Sequence, residues 1–199
     1  MTALSDTELG SRLLCLARQA IGHHLGLCAA PSRDDPLLAE RAATFVTLHL
    51  GGKLRGCMGS VRAARPLGED VTENAVAAAF RDPRFPPVTE AEYERLQVEV
   101  SLLSEPTFLE FGDEDELADM LEPGKHGVFL FSGCRSATFL PQVWEHLSDP
   151  RTFLAALKEK AGLDPLGPAP NLMAATYTVR KWAEPDALSE PPSRAMSTS

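Results

Sequence analysis

A chain of 199 residues, 44% hydrophobic and 24% charged, has the composition of a folded domain with a real core, which excludes disorder throughout. Nineteen basic against 28 acidic side chains give a net charge of −9, most of it in the second half. That weighs against non-specific nucleic-acid binding, which rests on neutralising phosphates. No stretch approaches the roughly 18 uninterrupted apolar residues of a membrane span, and no basic-then-apolar leader opens the chain. The four cysteines show no C-x-x-C spacing, so a reduced, cytoplasmic protein without a disulfide framework or paired-cysteine zinc site is expected.

Ser5-Asp6-Thr7-Glu8 forms a capping box, and Leu9, Leu13, Leu16, Ala20 and Ile21 follow at helical spacing. Together they predict an amphipathic helix over 6–25. Residues 44–50 alternate as a strand, Gly51-Gly52 suits a two-residue hairpin turn, and 53–59 return. Pro66 opens a helix to about Phe80, which Arg81-Asp82-Pro83-Arg84-Phe85-Pro86-Pro87 ends. A second capping box at Thr89 starts a short helix, and residues 98–102 alternate as a strand with Glu99 and Ser101 on the face opposite the valines.

Residues 105–122 hold eight acids and no base; a short helix over 113–121 and a solvated acidic face are expected there. An apolar strand over 127–131, a helix opened by Asp149-Pro150 and stopped at Gly162, and a last strand over 176–182 complete the order. The expected class is α+β: a mixed, largely antiparallel sheet covered by helices, with a smaller subdomain. Residues 5–184 are expected to form one domain and 185–199 a disordered tail.

The chemically unusual segment is Leu54-Arg55-Gly56-Cys57-Met58-Gly59-Ser60. Glycine weakens a strand, so Gly56 and Gly59 signal close approach by a ligand or another chain segment. Arg55 supplies a cation near the Cys57 thiol, and a nearby cation favours thiolate. His126, at the mouth of a strand between glycines, and Glu99, an acid in an apolar strand, are further candidates. Cys57, His126 and Glu99 could serve as nucleophile, base and orienting acid, ligate a metal, or form an unreactive hydrogen-bonded pocket.

These motifs resemble the AMMECR domain family. Leu54 to Gly59 resembles its L-R-G-C-I-G signature, with Met58 where isoleucine is usual. Asn74-Ala75 through Pro87 resembles its N-A-x-x-A-A-F-x-D-P-R-F-P-P block, and Val98 to Ser104 its E-V-S-V-L-S strand. His126-Gly127-Val128, Leu140-Pro141-Gln142-Val143 and Lys160-Ala161-Gly162-Leu163 follow in the family's order. Trp144 comes at once after the fifth of these, where the family has a longer approach.

The resemblance implies protein A of the AmmeMemoRadiSam system, with a Memo-like protein and a radical SAM protein as partners. It points to a site at Leu54, Arg55, Gly56, Cys57 and Gly59, with Asn74 and Arg84 beside them as substrate-binding candidates. It names no cofactor and no metal, and no C-x-x-x-C-x-x-C run is present to hold a radical SAM cluster. Two readings compete: a cysteine-dependent enzyme with Cys57, His126 and Glu99 at its centre and a small anionic substrate, or a non-catalytic binding or adaptor protein whose acidic 105–122 segment docks the partners. Nucleic-acid binding through the basic 51–65 segment is a weaker third.

Overall fold

The computed structural model describes residues 5–32 and 35–185. It is an α+β protein of two compact units: the described residues up to 102 together with those from 181 on, and an inserted unit over residues 103–180. The tail expected over 185–199 lies, past Pro185, outside the described residues.

The first unit begins with α1 (Asp6–His24), capped as the sequence indicates by Ser5 and Glu8. Strands β1 (Arg41–Leu50) and β2 (Lys53–Gly59) form the hairpin. Its turn rests on Gly51 and Gly52 at φ of 58° and 75°, the left-handed backbone that primed turns require. A two-residue β3 (Arg65–Pro66) pairs with the start of β1 and leads into α2 (Leu67–Phe80). The short α3 (Glu90–Tyr93) precedes β4 (Leu96–Leu103), and β9 (Val179–Ala183) closes the sheet. The strand order is β2-β1-β4-β9. Val46, Leu48, Val98 and Val100 pack with Leu13, Ala17 and Ile21 of α1 and Val71, Ala75 and Ala78 of α2 in one buried cluster. Alternation therefore sets Phe45, Thr47 and Glu99 on the other face.

The second unit has its own sheet, of order β5-β8-β6-β7: β5 (Thr107–Leu109), β6 (Gly127–Ser132), β7 (Arg135–Phe139) and β8 (Leu172–Tyr177). Its three strand pairs are antiparallel. Leu117 of α4 (Glu114–Met120), Phe153 and Leu157 of α5 (Pro150–Lys160), Val128, Leu130, Ala174 and Trp144 make a second cluster. Trp144 stacks on Phe153 at 3.7 Å.

The expected α+β class holds, with one sheet in each unit. The strand expected over 176–182 is two strands, β8 and β9, in different sheets and parted at Thr178. There the backbone turns off to exchange hydrogen bonds with Ser104. Neither β5 nor β7 is long or regular enough to show a period of two.

Candidate functional site

Strand β2 is an edge of the first sheet. Cys57 lies opposite Thr47 of β1, whose hydroxyl donates to the Cys57 sulfur at 3.3 Å. Both backbone groups of Cys57 turn to the free edge. Its N–H donates to Asp82 Oδ2 at 2.9 Å, and its carbonyl accepts from Arg84 Nη2 at 3.3 Å. Asp82 and Arg84 so take the place of a neighbouring strand. They also bind each other through Arg84 Nε to Oδ1 at 2.9 Å and Nη2 to Oδ2 at 2.6 Å.

Asp82 is buried, with 2% of its side chain exposed, while Arg84 is 54% exposed. The Arg84 guanidinium, and then the N–H groups of Cys57 and Arg84, hold the Asp82 carboxyl far below the usual carboxylate range against the cost of burial. Arg84 is raised in return, first by Asp82 and also by the Cys57 side chain. The cation that contacts Cys57 is therefore Arg84, through the carbonyl.

Arg55, expected in that place, faces elsewhere. The pairing of β1 and β2 slips between Leu48 and His49 and leaves Arg55 without a partner. Such a bulge re-aims a side chain. Arg55 is buried, with Nε on Glu92 Oε1 at 2.8 Å, Nη1 on the Pro86 carbonyl at 2.9 Å and Nη2 on the Pro87 carbonyl at 3.2 Å. It straps the 82–92 segment to β2. Glu92 is pulled down to about 2, chiefly by Arg55.

The two glycines each meet protein. A Cβ on Gly56 would run into the Ala78 carbonyl of α2, and one on Gly59 into the Phe45 ring. Asn74 is buried; its Nδ2 lies 2.9 Å from Asp70 Oδ2 and 3.0 Å from the Thr44 carbonyl. Asp70 also accepts from the Thr44 N–H, the Ser60 hydroxyl at 2.7 Å and Arg65 Nη2 at 2.8 Å. This knot joins the end of β2 to the start of α2.

Glu99 stands on the same sheet face as Thr47, with β1 between its strand and β2; it pairs with Lys181 of β9 at 3.1 Å. His126 belongs to the second unit. Its Nδ1 accepts from the Glu122 N–H at 3.2 Å, its Nε2 lies 3.7 Å from the Glu122 carboxylate, and its carbonyl accepts from Trp144 Nε1 at 2.6 Å. The first unit thus brings together Cys57, Arg84, Asp82 and Thr47. Asp82 and Thr47 were absent from the sequence-level candidates. The signal for Asp82 was its place two residues before Arg84, and that for Thr47 its register across the hairpin.

Four of the eight acids in the 105–122 segment pair with basic side chains of the same unit. Asp115 and Asp119 pair with Arg151 at 2.9 and 3.4 Å, Glu114 with Lys158 at 2.7 Å and Glu122 with Lys125 at 2.9 Å. Asp113 caps α4 and Glu116 accepts from the Gly112 N–H. Among the described residues no group of three His, Cys, Asp or Glu is placed to hold a metal, and no helix is long and apolar enough to cross a membrane.

The same chain pattern recurs in known proteins. Protein MK0488 of Methanopyrus kandleri is 39% identical over 168 residues, covering 79% of each chain. A Methanosarcina mazei protein is 38% identical over 169 residues, covering 81% of this chain and 84% of its own. The crystal structure of an uncharacterized Pyrococcus horikoshii protein, PH0010, superposes with a TM-score of 0.76 at 35% identity, covering 89% of this chain and 92% of that one. The family model described as AMMECR1 matches residues 14–182, a span that takes in both units and every residue around Cys57, and the chain belongs to that family.

Proposed function

We propose that this protein is component A of the AmmeMemoRadiSam system and works as a thiol-dependent enzyme on a small anionic substrate, with Cys57 as its reactive group. One observation carries the reading. The half-buried thiol sits on a strand whose backbone is pinned on its outer edge, between a hydroxyl donor, Thr47, and a half-exposed cation, Arg84. Thr47 donates to the sulfur and Arg84 to the carbonyl of the same residue, and a fixed backbone pre-positions the nucleophile. Glu99, on the same sheet face, is the acid this reading draws on in the first unit. His126 enters it as a base on its sequence position.

The test is alkylation by iodoacetamide at pH 7 in a variant with Cys15, Cys28 and Cys134 changed to Ser. Cys57 is expected to react about tenfold faster than a peptide cysteine. Arg84→Gln and Thr47→Val should each bring the rate down severalfold with the circular dichroism unchanged, and Glu99→Gln and His126→Asn test the acid and base roles in a cell-based assay. A wild-type rate at or below that of the peptide overturns the reading. The adaptor alternative calls for a Memo-like or radical SAM partner docked on the acidic segment, four of whose acids pair with Arg151, Lys158 and Lys125. Co-expression with both partners followed by gel filtration checks it: co-elution that survives Cys57→Ser would favour the adaptor.

A further inference from the structure

We propose that Asp82 and Arg84 form a carboxylate-binding subsite beside Cys57, so that the substrate carries a single carboxylate next to its reacting carbon. This rests on the thiol reading above and names the class of its substrate.

The geometry of the guanidinium supports it. Asp82 occupies the Nε and Nη2 side, and Nη2 also reaches the Cys57 carbonyl. Among the described residues Nη1 makes no hydrogen bond, and the side chain is 54% exposed. The cation is held from several sides. Asp82 is buried and fixed by the N–H groups of Cys57 and Arg84. The Arg84 guanidinium carbon lies 5.5 Å from the centre of the Phe85 ring, and Pro83, Pro86 and Pro87 stiffen the segment. An arginine oriented before binding loses little freedom on binding, and the N–H bonds of Nη1 are left to donate to a carboxylate oxygen.

Charge selects the class. The pair with Asp82 leaves Arg84 little net charge, and the nearby Arg55 is consumed by Glu92 and two carbonyls. A phosphate dianion asks for more uncompensated positive charge than this edge offers; a monocarboxylate does not. The same guanidinium donates to the Cys57 carbonyl at 3.3 Å, so a carboxylate held there lies beside the residue that bears the thiol.

The experiment compares iodoacetate with iodoacetamide on the Cys57-only variant. In both reactions the S–C bond forms as C–I breaks, iodide leaves with the bonding pair and the thiol proton goes to buffer. The iodoacetate-to-iodoacetamide rate ratio is expected to exceed that of a peptide cysteine by about fivefold. Arg84→Gln should return the ratio to the peptide value, Arg84→Lys should keep part of it, and Asp82→Asn should lower it. Sodium acetate should slow iodoacetate more than inorganic phosphate does at equal ionic strength.

A peptide-like ratio with fast iodoacetamide overturns the subsite and leaves the thiol reading standing. Slow iodoacetamide overturns the thiol reading whatever the ratio, and phosphate outcompeting acetate overturns the carboxylate class. If the Asp82 variant does not fold, or Cys57 takes neither reagent, acetate titration of the unsubstituted protein decides. A saturable shift of the Arg84 side-chain nitrogen resonance is expected, and no shift overturns the subsite.

Discussion

Gly56 and Gly59 flank Cys57 for two different reasons. At Gly56 the backbone of α2 comes against β2, and backbone has nowhere to move. Gly56→Ala is therefore expected to cost about 2–3 kcal/mol, read as a fall in the urea midpoint at constant slope. At Gly59 a Cβ would meet both the Phe45 ring and the Thr44 backbone carbonyl, so Gly59→Ala is also expected to lower the midpoint. The buried knot at Asp70 is harsher still. Asp70→Ala leaves the Thr44 N–H, Ser60, Asn74 and Arg65 without their shared acceptor, and about 3–5 kcal/mol is expected to be lost in the same measurement. The weak place of glycine in a strand was legible from residue types alone. Which neighbour it admits was not, because Ala78 and Phe45 lie 22 and 14 residues away in sequence.

At the scale of elements, the 82–92 segment is held to the edge of β2 at two points, Asp82 with Arg84 at Cys57 and Arg55 with Glu92. Glu92 has a double part. It closes the capping box of α3 on the Thr89 N–H at 2.9 Å and receives Arg55. Its carboxyl falls from an ordinary 4.5 to about 2 on folding. A depressed carboxyl stabilises the fold fully above the unfolded value and loses that contribution as pH drops through the folded one. Stability should thus decline between pH 4.5 and about 2, with Asp82 adding to the decline in the same direction. Glu92→Gln is expected to be less stable at pH 7 and to show a shallower decline, checked by urea unfolding across that range. The capping boxes at Ser5 and Thr89, the Gly-Gly turn and the long helices were all readable locally. The boundary at Thr178 was not, since one alternating run feeds two sheets.

In the molecule as a whole, each unit closes on its own polar fastening. In the first, Glu184 just after β9 takes Arg18 of α1 at 2.6 and 2.5 Å and the Val98 N–H at 2.9 Å. Arg18 also reaches the carbonyls of Tyr93 and Leu96. Glu184→Ala is expected to speed amide exchange in β4 at Val98 and Val100, and unchanged exchange there would deny the clasp its role. In the second, the buried Lys158 ammonium meets Glu114 at 2.7 Å and the Gly167 carbonyl at 2.7 Å. Lys158→Met keeps the apolar stem and frees both acceptors. Because Glu114 is partly open to water, a modest loss of about 1–2 kcal/mol is expected by thermal unfolding.

By itself the sequence determined the class, the main helices, the hairpin and the family. Those follow from hydrophobic period, caps, turn residues and motif order, which act over a few residues at a time. It also singled out Cys57. The tertiary structure alone decided what surrounds that thiol. Arg55, two residues away in the chain, is turned by a bulge to the 82–92 segment, and Arg84, 27 residues away, is brought against the strand edge by the Asp82 carboxylate. Charge near a thiol is a matter of distance in space, and only the folded register of β1, β2 and the segment after α2 sets it.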